Sequence, residues 1–224
     1  MKRRPEPELM DAADQARAYA EADFAGPNEL FLRLLAEQEP GDLAGARVLD
    51  LGCGPADIVI RFLRRYPQAI CDALDGSQPM LDHAGRALAA LPGVSKRARL
   101  ICDKLPSESL APHHYDVILS NSALHHLHDP QVLWRTVRKC AKPGALVLVM
   151  DLMRPASAGW AAAIVETYAL GEPEILRRDF LNSLFAAFEP AEVTDQLKSA
   201  GLDDQLEVHV VSDRHLAVWG RLNQ

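Results

Sequence analysis

The chain has 224 residues, 48% of them hydrophobic and 25% charged, with a formal net charge of −7. That length suits one domain with a sizeable core, and the acidity disfavours a broad footprint on a nucleic-acid backbone. The four cysteines, Cys53, Cys71, Cys102 and Cys140, make no C-x-x-C pair, which argues against a zinc site and reads as small buried hydrophobes in a reducing compartment.

The first few residues are charged and proline-rich and predict a mobile terminus. No apolar h-region follows Met1-Lys2-Arg3-Arg4 and no apolar run is long enough for a bilayer span, so the expected location is the cytoplasm, without membrane insertion. Helical spacing covers about 8–24 and then 27–38, with Gly26-Pro27 between the two and Pro40-Gly41 closing the pair. A strand at 47–51 runs into a tight turn, Gly52-Cys53-Gly54-Pro55, after which Ile58, Val59, Phe62, Leu63 and Tyr66 recur at helical spacing. A second strand spans 69–74, and Ser77 is suited to cap a helix whose apolar stripe is Met80, Leu81, Ala84, Ala87, Leu88 and Leu91. Strands follow at 99–102 and 115–120. Asp129-Pro130 begins a helix to about Ala141, which Lys142-Pro143-Gly144 stops before an apolar fifth strand at 145–151.

Beyond Asp151 the pattern changes: 156–188 reads as helices without a strand, and a further helix at 190–200 ends at Gly201. Strands at 206–211 and 215–220, joined by Ser212-Asp213-Arg214, then form an antiparallel hairpin. Near-continuous apolar strands alternating with helices predict a parallel, doubly wound sheet covered on both faces.

The segment Val48-Leu49-Asp50-Leu51-Gly52-Cys53-Gly54-Pro55-Ala56 carries the strongest chemical signal. Glycines let the backbone take positive φ and pass close to a ligand. The helix that follows presents free amides to an anion such as a carboxylate, and Asp50 sets an acceptor at the carboxyl end of the strand, where open α/β sheets bind ligands. A dinucleotide fingerprint wants a third glycine where Asp57 stands, so NAD and FAD are disfavoured. Asp75, after the second strand, is placed to accept from both hydroxyls of a ribose; a plain helix-start acid beside Ser77 is the structural alternative. Asp103, in Cys102-Asp103-Lys104-Leu105-Pro106, is placed to accept from an exocyclic amine, with the Leu105 backbone near the ring edge.

Together these motifs resemble the class I S-adenosylmethionine-dependent methyltransferases over residues 45–151. Tyr115 to Leu127 (YDVILSNSALHHL) and Lys142-Pro143-Gly144 are similar to the fourth-strand motif and fifth-strand entry of the small-molecule branch that includes ubiquinone and menaquinone methyltransferases. The resemblance implies an α/β fold with a doubly wound seven-stranded sheet, order 3-2-1-4-5-7-6, the last strand antiparallel. It implies S-adenosylmethionine as cofactor and S-adenosylhomocysteine as product. Asp50, Gly52 and Gly54 would hold the methionine part, Asp75 the ribose and Asp103 the adenine. Cys53, Gly76, Ser77, Met80, Lys104, Leu105 and Asn121 complete the expected cofactor wall. The usual third glycine is Ala56, a change expected to alter packing slightly without loss of binding.

The expected organisation is one domain over 1–224: a helical lid at 8–40 whose Tyr19 lies over the cofactor, a core at 45–151, a helical insertion at 155–188, and a helix and hairpin at 190–222. A general base is needed only where the acceptor must lose a proton; His125 and His126 are the candidates, against the reading of pocket-wall histidines bonded to backbone. The histidines at 125, 126 and 128 with Asp129 also resemble a metal set, but Asp129 is better used as a helix cap, so no metal is expected. Met153, Arg154, Tyr168 and Arg178 are the candidate acceptor-binding residues. A small-molecule acceptor is favoured over tRNA or protein, and over a non-catalytic cofactor-binding module on the same fold. Asn121-Ser122-Ala123-Leu124 lacks the N/D-P-P-Y/F-type turn of nucleic-acid amino methyltransferases.

Overall fold

Strands apolar at almost every position can be buried on both faces only between two layers of helices. The computed structural model, which describes residues 1–39 and 41–223, builds that arrangement. Strands β1 (Arg47–Leu51), β2 (Ile70–Asp75), β3 (Ala98–Cys102), β4 (Tyr115–Asn121), β5 (Ala141–Leu152), β6 (Leu206–Val210) and β7 (His215–Leu222) form one sheet in the order β3-β2-β1-β4-β5-β7-β6. The first five run parallel, and β7 is antiparallel to both β5 and β6. Order and orientation agree with the sequence expectation. Because β1 pairs with β2 on one side and β4 on the other, the chain reverses its direction of winding there and leaves a crevice at the strands' carboxyl ends.

The helices are α1 (Ala13–Glu21), α2 (Ala25–Gln38), α3 (Asp57–Arg65), α4 (Gln78–Ala89), α5 (Pro92–Ser95), α6 (Gln131–Cys140), α7 (Ala158–Tyr168), α8 (Glu174–Ala186) and α9 (Pro190–Ala200). Alternation along the strands splits the core. Val48, Leu146 and Leu148 pack with Phe31, Phe62 and Leu81 from α2, α3 and α4. Leu49, Leu51 and Val147 pack with Trp134, Val137 and Leu197 from α6 and α9 on the opposite face. The inserted α7 and α8 form a smaller cluster around Ile164, Val165 and Leu184, seated on Leu152 at the end of β5. Arg97 closes the carboxyl end of α3, donating to the carbonyls of Leu63 (2.7 Å) in its last turn, Tyr66 (3.2 Å) at its cap and Ala69 (3.0 Å) just before β2.

Several local expectations need correction. The first helix is shorter than the 8–24 pattern because residues 1–10 form a strap instead of a mobile terminus. Arg3 donates to the carbonyls of Ala186 (2.5 Å), His125 (2.9 Å) and Leu127 (3.1 Å), and the Met10 carbonyl accepts from Ser77 Oγ at 2.8 Å. Lys142-Pro143-Gly144 does not separate α6 from the fifth strand. Ala141 already pairs with Tyr115, and the register shifts between Tyr115 and Val117, with Gly144 at φ 80° absorbing the irregularity. The short α5 is a local turn without a periodic signal. Cys102 is exposed where a buried hydrophobe was expected, because β3 is an edge strand. Pro40, expected to close the helical pair with Gly41, lies outside the described residues.

Trp134 is fully buried between α6 and α9, with its Nε1 donating to Gln196 Oε1 at 2.9 Å. Trp134→Ala should therefore lower the unfolding free energy by about 3–5 kcal/mol, read by urea denaturation; a loss below about 1 kcal/mol would show that this face of the core is not tightly packed.

Candidate functional site

At the carboxyl ends of β1, β2 and β4 lies a cavity of about 220 Å³. Its wall is drawn from segments far apart in the chain: Asp50, Gly52, Cys53 and Gly54 with the first strand, Asp75, Gly76, Ser77 and Met80 after the second, and Asp103, Lys104 and Leu105 after the third. Asn121 ends the fourth strand, and Tyr19, Phe24 and Asn28 close the cavity from the N-terminal helices. The structure thus brings together every residue expected on the cofactor wall. The strap residues Glu8, Leu9 and Met10 and the α6 residues Val132 and Leu133 line it too, and no local sequence signal marks them.

The turn after β1 depends on its glycines. Gly52 has φ 78° and Gly54 φ 51°. The amides of Gly52 and Cys53 both donate to Leu74 O, at 2.8 and 3.0 Å, which ties the turn to β2. A Cβ on Gly52 would meet the Ala123 Cβ at 2.5 Å. Ala56, at the missing third glycine, is also left-handed at φ 69°. That conformation costs a non-glycine residue about 1–2 kcal/mol, partly offset by a buried methyl worth about 0.8 kcal/mol; the Ala56 side chain is fully buried. Among the described residues no side chain caps α3, so its first amides remain available to an anion. Asp57 in that first turn is held by Arg61, 3.0 Å away, and by the Asn28 amide.

Electrostatics distinguish the three acids. Asp50 is buried, and its Oδ2 has no hydrogen-bond partner among the described residues. Burial, then the neighbouring charge of Asp75, pushes its pKa up to about 7. Asp75 accepts the Gly54 amide on Oδ2 and the Ser77 amide on Oδ1, both at 2.8 Å. Burial still raises its pKa against those two bonds. Asp103 accepts from the hydroxyls of Ser107 (2.6 Å) and Ser109 (2.9 Å), which hold its pKa below the usual carboxylate range. Asn121 donates Nδ2 to Asn28 Oδ1 at 3.3 Å and keeps Oδ1 buried and unpartnered among the described residues.

The candidate bases separate. A 3₁₀ turn over Leu124–His126 swings His125 out of the cleft wall and under the end of β5. There its Nδ1 lies 2.5 Å from Asp151 Oδ1, and its amide donates to Asp151 Oδ2 at 3.0 Å. Burial pulls the His125 pKa down, but the charges of Asp151 and Glu6 outweigh it and the net direction is up. His126 does line the cleft, and burial and the adjacent His125 take its pKa down to about 3.

None of the four expected acceptor residues lines the cleft. Met153 packs in the sheet core and bridges to Phe188. Arg154 is buried against Glu189 (3.0 Å) and Glu192 (2.9 Å), tying β5 to α9. Tyr168 is exposed, donating to Asp213 at 2.8 Å beneath the Arg214 guanidinium. Arg178 pairs with Asp179 at the surface. The insertion carries Tyr168 and Arg178 away because its apolar face seats on Leu152 beside the sheet, and the strap takes the place over the cleft.

A family model described as a methyltransferase domain matches residues 49–147. Malonyl-[acyl-carrier protein] O-methyltransferase of Halalkalibacterium halodurans is 33% identical over 101 residues, covering 45% of this chain and 37% of that protein. Ubiquinone biosynthesis O-methyltransferase of Bordetella pertussis is 30% identical over 170 residues, covering 75% of this chain and 66% of that protein. The chain thus spans between about one third and two thirds of the length of these two relatives. A SAM dependent methyltransferase from Aquifex aeolicus superposes with a TM-score of 0.67 at 19% identity, over 93% of this chain and 98% of that one.

Gly52→Ala should destabilise the chain by about 1–3 kcal/mol, from the clash with Ala123 and the positive φ together. Adding Ala123→Gly should recover part of that loss, the steric share, while the conformational share persists. Chemical denaturation of the single and double variants measures both; a neutral single variant would mean that the turn is not held as described.

Proposed function

Starting from the chain's membership of the class I S-adenosylmethionine-dependent methyltransferases, we propose that it passes the methyl group of S-adenosylmethionine to a small-molecule acceptor, leaving S-adenosylhomocysteine. The observation that carries this reading is the buried, unpartnered Asp50 Oδ2 in a cleft that also collects Asp75, Asp103 and the glycine turn. A buried acceptor without a donor costs about 1–3 kcal/mol, more when charged. A ligand that brings an ammonium group removes that cost, so these residues fit the cofactor.

When bound, S-adenosylmethionine supplies an already activated methyl on a positively charged sulfur. The chain's own work is to bind, orient and exclude water. Asp50 receives the amino group and the free amides of α3 the carboxylate. Asp75 keeps lone pairs for the ribose hydroxyls beyond those taken by Gly54 and Ser77. Asp103 and the Leu105 backbone take the adenine edge. Tyr19 and Phe24, with ring centroids 4.6 Å apart, close the cleft with the strap. Asn121 offers its Oδ1 to a donor group on the cofactor. Holding the acceptor in line with the transferred methyl accounts for several kcal/mol of the barrier by the effective-molarity argument. The name of the ubiquinone-biosynthesis relative supports an acceptor of metabolite size, and the net charge of −7 speaks against RNA. The four free thiols suit a reducing cytoplasm, and among the described residues no helix is long and apolar enough to cross a membrane.

Calorimetry with S-adenosylmethionine should show that Asp75→Ala lowers affinity by about tenfold or more, the loss of a charge-assisted bond; an unchanged affinity removes the ribose assignment. With methyl-labelled cofactor in a cell extract, label should enter the metabolite fraction, and label confined to RNA or protein would overturn the acceptor class. Asp50 supplies a pH test. Its carboxylate is the form that binds an ammonium, so cofactor affinity should fall as pH drops below about 7, by up to about tenfold per pH unit, and Asp50→Asn should flatten the profile. Folding raises this pKa from 3.8 to about 7, so the ionised form opposes folding. The deficit opens above about pH 4 and is complete above about pH 7, roughly 4 kcal/mol in size. Asp50→Asn should therefore bind cofactor weakly yet melt at a higher temperature than the parent chain at about pH 8; a lower melting temperature would contradict the buried-charge account.

A further inference from the structure

We propose that Glu6, His125 and His126 form a binding site for one divalent transition-metal cation of the zinc class, beside the cleft. Glu6 Oε1 lies 3.5 Å from His125 Nε2 and 3.4 Å from His126 Nδ1, and the three ligand atoms all fall within 4.8 Å of one another. The Glu6 distances are too long for good hydrogen bonds. They match the edge of a tetrahedron whose metal–ligand bonds are about 2.0–2.1 Å, an edge of about 3.3–3.4 Å. His126 Nδ1 is buried and has no hydrogen-bond partner among the described residues, so the contact with Glu6 leaves its lone pair unused.

The surroundings are those of a held ligand set. Asp151 Oδ1, 2.5 Å from His125 Nδ1, fixes the ring so that Nε2 faces Glu6; a carboxylate behind a ligating imidazole is the usual support of such a site. Ser183 Oγ donates to Glu6 Oε1 at 2.9 Å, steadying the carboxylate. Asp151 and Glu6 both face His125, so carboxylate oxygens surround the place a cation would take, and Arg3 holds the backbone there by bonding the His125 carbonyl at 2.9 Å. Two imidazoles and one carboxylate suit zinc or iron(II), whereas magnesium and calcium want oxygen ligands.

The expectation of no metal considered these histidines with Asp129. That residue is spent on the Gln131 amide (3.0 Å) and Arg135 (2.9 Å). The carboxylate that completes the set comes from the strap, which only the fold brings to the end of β4. Because His126 is also a cleft residue, the cation would stand beside the acceptor and favour one carrying an ionisable oxygen or sulfur. That last clause rests on the proposed function; metal binding itself does not.

The test uses the full chain, stripped with a chelator and titrated with Co²⁺ under visible absorption, then with competing Zn²⁺. One equivalent should bind with the absorption of a tetrahedral nitrogen–oxygen site, and Zn²⁺ should displace it. Glu6→Gln and His126→Gln should each weaken binding by about tenfold or more, while His128→Gln, at an exposed neighbour, should leave it unchanged. Should a variant fail to fold, the cobalt spectrum of the parent chain decides, since histidine ligation and four-coordination are visible there. Absence of a stoichiometric site, or one that persists in both variants, overturns the proposal. Cofactor calorimetry on the stripped chain is read separately, so loss of the metal site and loss of the methyltransferase reading are distinguishable.

Discussion

The constraint at the centre of the cleft is Asp50, whose buried Oδ2 has no donor among the described residues. It sits near the end of β1, where its backbone is in register with Ala73 of β2 and Leu119 of β4. The turn that follows cannot supply a donor, because the amides of Gly52 and Cys53 are committed to Leu74 and that of Gly54 to Asp75. The fold therefore carries a standing electrostatic cost at one point. The two apolar layers on either side of the sheet, with Trp134 and Phe62 fully buried at their centres, supply the hydrophobic stabilisation that such a point requires.

The N-terminal strap is the second organising element. Arg3 fixes it to the carbonyls of His125, Leu127 and Ala186, and Ser77 bonds the Met10 carbonyl. These contacts join the loop after β4, the end of α8 and the start of α4 through a single stretch of chain. The same stretch roofs the cleft with Glu8, Leu9 and Met10 and delivers Glu6 to the two histidines. The roof of the cleft and the grouping of Glu6 with the two histidines thereby depend on one segment, and the insertion of α7 and α8 is left as a buttress for β5.

The parallel strands and the glycine turn were legible in the chain because their signals are local. Continuous apolar runs need burial on both faces, and Gly52 and Gly54 occupy positions where φ is positive. Asp75 at the end of β2 could be set beside Asp50 in β1 because a right-handed crossover puts the two strands side by side, whereas Asp103 joined them through the family resemblance. The acceptor side was not legible. Arg154 and Tyr168 look like ligand-binding groups in isolation, yet Arg154 is saturated by Glu189 and Glu192 and Tyr168 by Asp213. His125 follows the right strand for a base, but one 3₁₀ turn directs it to Asp151.

What the amino-acid sequence by itself determined is the set of strands and helices, the parallel sheet and the glycine turn, because hydrophobic period and turn chemistry act over a few residues each; the strand order came from the family that its motifs resemble. What only the tertiary structure decided is the roof of the cleft, the partner of each histidine and the commitment of each surface charge. Those depend on which distant carbonyl or carboxylate arrives within about 3 Å of a given donor, a distance that no spacing along the chain encodes.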